Sequence, residues 1–280
     1  MDDRLRQLWD FDDLEASERR FREQLAREDS DAGRAEVLTQ IARIHGLRAD
    51  FDAGDDVLGE ATLLAGASAA ARARIDLERG RLRRSGGDRE SALPLFESAF
   101  AVALEADQDY VAADAAHMAA LAAGGSGFVA WTERGIALAE EREDASYWLG
   151  PLLNNIGWEY YEAGEYTQAL GAFERALQAR RREPEKEAAV EIARYAVGKT
   201  LRALGRPSEA IPHLEQAVAW AERANEPDGW FHEELAEEYA AVGRLDEARE
   251  QARQAIPLLE QADPSFVEDE ARRVRLAALA

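Results

Sequence analysis

A small residue recurs along this 280-residue chain at a nearly constant interval. Six such anchors follow one another at steps of 38, 36, 41, 41 and 38 residues: Ala42, Gly80, Ala116, Gly157, Gly198 and Ala236. Seven residues after most anchors stands a position suited to ending a helix: Ala49, Gly87, Gly164, Gly205 and Gly243. Such a repeat limits the fold strongly, because every copy must form the same local structure and bury the same face.

The residues around each anchor predict a pair of packed helices. A second small residue lies twelve positions after every anchor except Ala116, and a larger apolar residue usually follows four positions later. Small residues let two helix backbones approach closely, and large ones fill the space beside the crossing. One helix pair cannot bury its apolar face alone, so consecutive pairs must stack. We therefore predict an all-α, right-handed superhelical solenoid of tandem helix-turn-helix repeats, with a binding groove on its inner surface.

Charge and cysteine content exclude several classes of function. The chain has 34 basic and 56 acidic residues, and its formal charge of -22 repels phosphate backbones and anionic membrane surfaces. We therefore expect neither nucleic acid nor a membrane as a partner. Because there is no cysteine, there is no disulfide, thiol nucleophile or cysteine metal site. The polar start of the sequence and the lack of a long apolar run predict a cytoplasmic protein without a signal peptide or membrane span.

Motifs that resemble catalytic or ligand sites are interpreted as ordinary helix residues. The segment Gly198-Lys199-Thr200 matches the end of a phosphate-binding loop, but Ala193 stands where that loop needs a glycine. The four histidines fall in separate repeats, which disfavours a shared metal ion. Acid pairs such as Glu233-Glu234 are typical of solvated helix faces. We predict a protein that is not an enzyme and that holds no metal ion and no cofactor.

The repeat pattern resembles the tetratricopeptide repeat family from about Ala35 to Ala262. The period exceeds the usual length of about 34 residues, as in the long-repeat branch of kinesin light chains and bacterial peptide-responsive regulators. The resemblance implies an N-terminal helix and cap over 1–34, six repeats over 35–264 and a capping helix over 265–280. Within residues 1–34, Leu14 to Arg27 is expected to form a helix.

Prolines add expectations about where helices end. The pairs Glu183-Pro184, Glu226-Pro227 and Asp263-Pro264 are each expected to follow the end of a helix. Pro257 is expected to bend or interrupt the last second helix, because it lies beyond the first turn and cannot donate a backbone hydrogen bond.

The resemblance also implies which side chains line the groove. In tetratricopeptide arrays the first helix of each repeat lines the concave face, and the matching positions define a candidate partner-binding surface. Its predicted members are Arg43, Arg74, Arg81, Arg84, Tyr110, His117, Asn154, Trp158, Tyr161, Tyr195, Lys199, Arg202 and Trp230. The predicted centre is the group formed by Trp158, Tyr195, Lys199 and Arg202, which would project from adjacent first helices.

The residue types on these positions favour an acidic partner. Six basic groups outnumber four acids on the groove positions, Glu36, Glu162, Glu233 and Glu237, although the protein is acidic overall. Tyrosine and tryptophan rings are typical of recognition hot spots. The alternative is structural, with rings that pack on the next repeat and arginines that pair with nearby acids. The family's clamp for a C-terminal carboxylate is incomplete, because Trp158 replaces its asparagine, so an acidic peptide with an aromatic or aliphatic anchor fits better.

Three function classes remain open. The leading hypothesis is an adaptor or scaffold that binds an acidic peptide segment or partner protein in the groove. The first alternative is a regulatory sensor, in which a small peptide or anionic ligand alters the superhelix. Such a sensor would need a separate effector chain, because no effector domain is recognised in this sequence, and this favours the adaptor. The second alternative is self-association into a homo-oligomer through the ends or the convex face.

Overall fold

The computed structural model of the protein describes residues 3–182 and 187–280, and these residues form helices and no β-strand. The α-helices are α1 (Leu14–Arg27), α2 (Asp31–Leu47), α3 (Phe51–Ala65), α4 (Ala69–Ser85), α5 (Arg89–Glu105), α6 (Asp109–Ala123), α7 (Gly125–Glu141), α8 (Leu149–Glu162), α9 (Tyr166–Arg180), α10 (Glu187–Ala203), α11 (Pro207–Ala224), α12 (Gly229–Ala241), α13 (Leu245–Ala262), α14 (Pro264–Glu268) and α15 (Glu270–Ala277). Short 3-10 helices lie at Arg6–Leu8 and Glu143–Trp148. The all-α prediction is confirmed. The helices belong to two compact units, of which unit 1 ends at Leu152 and unit 2 begins at Leu153.

Unit 1 is built from consecutive helix pairs. Helix α2 packs against α3, α4 against α5, and α6 against α7, while α4 also contacts both α2 and α6. We call the surface of α2, α4 and α6 the first-helix face of unit 1. The core beneath it contains fully buried side chains such as Phe21 and Phe96. Helix α1 has the bounds expected for the opening helix and packs against α2.

Unit 2 follows the same arrangement. Helix α10 packs against α9 and α11, α12 packs against α11 and α13, and α10 contacts α12. We call the surface of α10, α12 and the part of α8 after Leu152 the first-helix face of unit 2. At the end of the chain, two short helices pack against α13 where one capping helix was predicted. The two helices separate at Asp269, whose side chain accepts a hydrogen bond from the backbone N–H of Arg272 and caps α15.

The anchors lie at helix crossings, as the repeat predicts. A Cβ atom on Gly80 would lie 2.5 Å from the ring of Phe96, and one on Gly157 would lie 2.5 Å from Phe173. These distances are far below van der Waals contact, so each crossing requires glycine. The predicted helix ends are also confirmed, because all five have positive φ, from 60° at Ala49 to 93° at Gly87.

Pro257 does not interrupt its helix. Helix α13 continues through it, so the prediction of an interruption is wrong. Pro257 is exposed, whereas Ala255 and Leu259 on the same helix are fully buried. Burial of these neighbours holds the helix together and offsets the hydrogen bond that proline cannot make.

The other proline positions behave as expected where they are described. Helix α11 ends at Ala224, before Glu226-Pro227, and α13 ends at Ala262, before Asp263-Pro264. The pair Glu183-Pro184 lies outside the described residues.

Candidate partner-binding surfaces

Two arginines predicted to face the groove in unit 1 are bound to carboxylates. The Nη1 and Nη2 atoms of Arg74 donate to Oδ2 and Oδ1 of Asp3, at 2.9 and 2.7 Å. Arg81 pairs with Glu78 on its own helix and with Asp114 on α6. Burial alone would lower the pKa of both arginines, but the carboxylates outweigh burial and raise it. These guanidinium groups therefore neutralise carboxylates of the same chain, and their hydrogen bonds are made within the fold.

Arg43 and Arg84 make no ion pair with any residue in the described ranges. The guanidinium of Arg43 lies 5.3 Å from the ring of Trp9 and 5.5 Å from that of Phe11, which is cation–π geometry. Burial and the nearby charge of Arg81 lower the pKa of Arg43. The Nε atom of Arg84 is buried and has no hydrogen-bond partner among the described residues. Among the predicted groove arginines of unit 1, these two therefore have no carboxylate partner within the described ranges.

Tyr110 and His117 on α6 pack on the 3-10 helix Glu143–Trp148. The ring of Tyr110 lies 5.8 Å from Tyr147 and 5.7 Å from Trp148, and the ring of His117 lies 5.4 Å from Trp148. Burial raises the pKa of Tyr110 and lowers that of His117, so both are neutral near pH 7. The rings of Tyr110 and His117 therefore pack against neighbouring rings of the fold, as the structural alternative to a binding role expects.

Residues 3–11, which we call the opening segment, lie against the first-helix face of unit 1. In addition to the pair between Asp3 and Arg74, Nε1 of Trp9 donates to Oε1 of Gln40 on α2 at 2.9 Å. The guanidinium of Arg6 lies 3.5 Å from the ring centre of Tyr147. A cavity of about 80 Å³ remains between the segment and the face. The repeat pattern does not extend to these residues, so it could not predict their position.

In unit 2, Lys199 and Arg202 converge on a single carboxylate. Nζ of Lys199 and Nε of Arg202 both bond to Glu234 on α12, the latter at 2.6 Å. The Glu234 side chain is 1% exposed, whereas those of Lys199 and Arg202 are 22% and 35% exposed. Burial would raise the pKa of Glu234, but the two cations outweigh it and lower that pKa. The cations are thus held in place by a buried group and still reach solvent.

Aromatic rings surround these two cations. Nζ of Lys199 lies 5.6 Å from the ring centre of Tyr195, and the Tyr195 ring contacts Phe231 on α12. The ring of Trp158 lies 5.5 Å from that of Tyr161 and 5.0 Å from that of Phe173, and Tyr161 is close enough to Arg202 and Glu234 for both charges to affect its pKa. All three predicted rings are half-buried. Of the predicted central residues, Tyr195 thus lies beside Lys199, and Trp158 is connected to Arg202 only through Tyr161.

Glu238 adds a second buried carboxyl group to this face. Both of its oxygens lack a hydrogen-bond partner among the described residues, and its nearest cation is Nε of Arg202 at 3.9 Å. Burial raises the pKa of Glu238 to about 7, although Arg202 acts in the opposite direction. Its charge therefore changes in the neutral pH range.

The remaining groove positions of unit 2 differ from one another in their surroundings. Asn154 is half-buried on α8. Trp230 packs against the cluster that contains Leu259 and Phe266. The acids predicted for the groove here, Glu233 and Glu237, bond to arginines of α15, which covers this end of α12.

The predicted excess of positive charge is reduced by carboxylates at positions that the groove assignment omits. Five of the six repeats carry a polar residue two positions before the anchor: Gln40, Glu78, Asp114, Asn155 and Glu234. Asp114 bonds to Arg81, and Glu234 bonds to Lys199, which in each case stands one position after the preceding anchor. The polar residue two positions before the anchor is therefore a sequence signal for the partner of a groove cation. A count of charges on the groove positions alone does not include it.

None of the described helices combines the length and apolar character needed to cross a membrane. No three histidine, aspartate or glutamate side chains of the described residues are placed to hold a metal ion together.

The sequence matches family models in its second half. Residues 152–183 and 188–261 each match a model described as tetratricopeptide repeat. No curated protein matches the sequence significantly.

Solved structures resemble the fold at low sequence identity. The apo form of RapI has 14% identity and a TM-score of 0.72, over 95% of this chain and 76% of that chain. A signal transduction ATPase with a tetratricopeptide repeat sensor from Pyrococcus horikoshii has 12% identity and a TM-score of 0.70, over 93% of this chain and 41% of that chain. NprR in complex with its cognate peptide NprX has 16% identity and a TM-score of 0.50, over 95% and 78%.

At such low sequence identity, the structural likeness shows a shared fold alone. The family models identify the repeats directly in residues 152–183 and 188–261. Over these two segments the chain matches the tetratricopeptide repeat family, and its described residues share the fold of a solved structure with a tetratricopeptide repeat sensor.

Proposed function

We propose that this chain is a non-enzymatic adaptor or scaffold that binds a peptide segment of a partner protein on the first-helix face of unit 2. The observation that carries the proposal is the arrangement of Lys199 and Arg202, which are anchored on buried Glu234 and remain partly exposed. Side chains that are already fixed lose little freedom on binding, so their contacts contribute more to affinity. The half-buried rings of Trp158 and Tyr195 supply the flat surface that is common in recognition hot spots.

The charges of this face support a partner with one acidic group beside an aromatic or aliphatic anchor. Lys199 and Arg202 carry two positive charges, and Glu234 balances one of them. The pKa of Glu238 is raised to about 7, so this group is neutral in a large fraction of molecules at pH 7. When Glu238 is neutral, one positive charge is left over and attracts a carboxylate. Binding of an acidic peptide is therefore expected to strengthen as the pH falls from 8 to 6.

Similar proteins add general support. NprR, whose structure resembles this chain, binds a cognate peptide.

We further propose that residues 35–264 act as six repeats closed by the segments 1–34 and 265–280, in a cytoplasmic protein.

Selection from a random peptide library on the full-length protein tests the proposal. We expect enriched peptides to carry an aspartate or glutamate next to an aromatic or aliphatic residue. The decisive variant replaces the whole charged group, with Lys199→Gln, Arg202→Gln and Glu234→Gln together. Charge reversal of the two cations alone is unsuitable, because it would leave buried Glu234 beside new negative charges. We expect the triple variant to bind the selected peptides at least tenfold more weakly, as measured by calorimetry.

Two further variants complete the test. Trp158→Ala is expected to weaken binding by about 2 kcal/mol if the ring is a hot spot. The matched control is Arg206→Gln with Glu209→Gln, which removes an exposed ion pair elsewhere in unit 2 and should leave affinity unchanged. Equal affinity of the wild type and the triple variant would rule out this face. Isolation of a discrete protein from the native host would favour the adaptor, whereas recovery of small peptides alone would favour the sensor.

A further inference from the structure

The opening segment contacts unit 1 through the type of pair that proteins use to recognise a carboxylate. The forked guanidinium of Arg74 bonds both oxygens of Asp3, and the two side chains are only 6% and 7% exposed. Arginine matches a carboxylate in this two-point geometry, and shielding from water strengthens the interaction. The two residues are 71 positions apart, so the pair requires the segment to fold back onto α4.

A second contact is made by an aromatic ring. Trp9 donates its indole N–H to Gln40, and Arg43 lies over the same ring. Gln40 and Arg43 are both on α2, while Arg74 is on α4. The segment thus presents a carboxylate and, six residues later, an indole ring to two neighbouring first helices.

These contacts differ from those of a helix cap that only covers a core. Leu5 does serve as such a cover, because its side chain is buried in the cluster that contains Phe21. Asp3 and Trp9 instead make directional polar bonds to arginine and glutamine on the first-helix face. Directional bonds of this type determine which peptide fits, whereas apolar burial is less selective. The segment also leaves a cavity of about 80 Å³ next to Arg43 and Asp114, so it does not fill the face completely.

We propose that the first-helix face of unit 1 is a second peptide-binding site, specific for a segment with a carboxylate and an indole ring six residues later, and that the opening segment occupies it within the same chain. A partner protein that carries such a segment binds by displacing residues 3–11. The proposal goes beyond the function proposed for unit 2, because it involves neither Lys199 nor Arg202. The two proposals can therefore fail separately.

A labelled peptide with the sequence of residues 1–13 serves as the probe, and its binding to the full-length protein is measured by fluorescence anisotropy. In the variant Asp3→Asn with Trp9→Ala, the internal segment is weakened and the face is open. We expect this variant to bind the probe at least tenfold more tightly than the wild type. The matched control is Asp12→Asn, because the Asp12 carboxylate is exposed and forms no ion pair with a described residue. This control should bind the probe as weakly as the wild type does.

Specificity is tested on both sides of the contact. The first change replaces the aspartate at position 3 of the probe by asparagine, and the second is Arg74→Gln in the opened variant. Each should weaken binding at least tenfold relative to the unmodified probe on the opened variant. If the opened variant melts too low for use, Asp3→Asn alone is used and should bind the probe about threefold more tightly than the wild type. No saturable binding to a folded opened variant, or equal affinity for the opened variant and the wild type, overturns the proposal. A dimer of the wild type in light scattering that dissociates in the opened variant would show exchange between copies and overturn occupation within one chain.

Discussion

The first-helix faces of the two units use similar residue types, but their charges are neutralised in different ways. In unit 1, Arg74 and Arg81 are at most 12% exposed and are bound to carboxylates from the opening segment, α4 and α6. In unit 2, Lys199 and Arg202 share buried Glu234 and remain 22% and 35% exposed. Arginines on one face therefore complete the fold, while the cations on the other are accessible to a partner.

For Arg74, the difference arises from a chain segment outside the helix pairs. The opening segment supplies Asp3 and Trp9 to unit 1. In unit 2, Arg272 and Arg275 of α15 bond to Glu233 and Glu237 on α12, but Lys199 and Arg202 have no described partner from such a segment. A groove position thus indicates which face a side chain lies on. Contacts from residues 3–11 or α15 then determine whether that side chain is free to bind a partner.

The largest expected effect tests what the two units share. Gly157→Leu and Gly80→Leu should each lower the free energy of unfolding by about 2 to 4 kcal/mol, because any side chain must displace a phenylalanine ring at the crossing. Chemical denaturation measures both values. Similar losses would indicate that the cores are equivalent and that only the faces differ.

Gly171→Ala is the control for this prediction. Gly171 lies in α9, and a Cβ atom added there would meet no atom of another part of the fold within 4 Å. Alanine should therefore be tolerated and should stabilise the helix slightly. If Gly157→Leu left stability unchanged while Gly171→Ala behaved as expected, close contact at the anchor would be contradicted.

An intermediate effect concerns the pH response of the unit 2 face. The pKa of Glu238 is about 7 in the folded protein, above its ordinary value of 4.5, so the folded state retains a proton that the unfolded state has lost. Its contribution to stability is complete below pH 4.5 and is lost as the pH rises through 7. Between pH 5 and pH 8 we expect a loss on the order of 2 to 3 kcal/mol.

Glu238→Gln should remove this part of the pH dependence. The difference between the unfolding free energies of the variant and the wild type should be larger at pH 8 than at pH 5. A constant difference at the two pH values would show that Glu238 is not protonated in the folded protein. Asp246→Asn is a suitable control, because Asp246 is an exposed acid whose ion pair lies on the surface of α13.

The smallest effect concerns the turns. Ala49 in unit 1 has φ of 60°, where the equivalent positions of unit 2 have glycine. An alanine side chain is strained in this conformation, so Ala49→Gly should stabilise the protein by about 0.5 to 1 kcal/mol. The reverse change Gly205→Ala should cost about 1 kcal/mol. Thermal melting of both variants measures this, and a destabilised Ala49→Gly would contradict the strain argument.

Particular residues show how far the sequence could be interpreted. The anchor at Gly157 and the turn at Gly164 predicted a crossing and a helix end correctly, because both depend on backbone geometry within one repeat. The interruption predicted at Pro257 was wrong, because burial of Ala255 and Leu259 outweighs its local preference, while the predicted bend stays a prediction. The positions of Lys199 and Arg202 were expected, but the assignment of Glu233-Glu234 to a solvated helix face was wrong, since both residues are buried. Glu234 is buried because it lies on the next first helix and bonds to these two cations.

The sequence by itself determined the helix pairs, their crossings and their turns, since these follow from the sizes and backbone preferences of residues close together in the chain. The tertiary structure alone decided the charge of the two faces. The bonds that set this charge join residues far apart in sequence, such as Asp3 with Arg74 at a separation of 71, Asp114 with Arg81 at 33, and Glu234 with Lys199 at 35. A local pattern cannot specify such partners, because Coulomb interactions depend on distance in space and on burial, and both are fixed only when the helices pack.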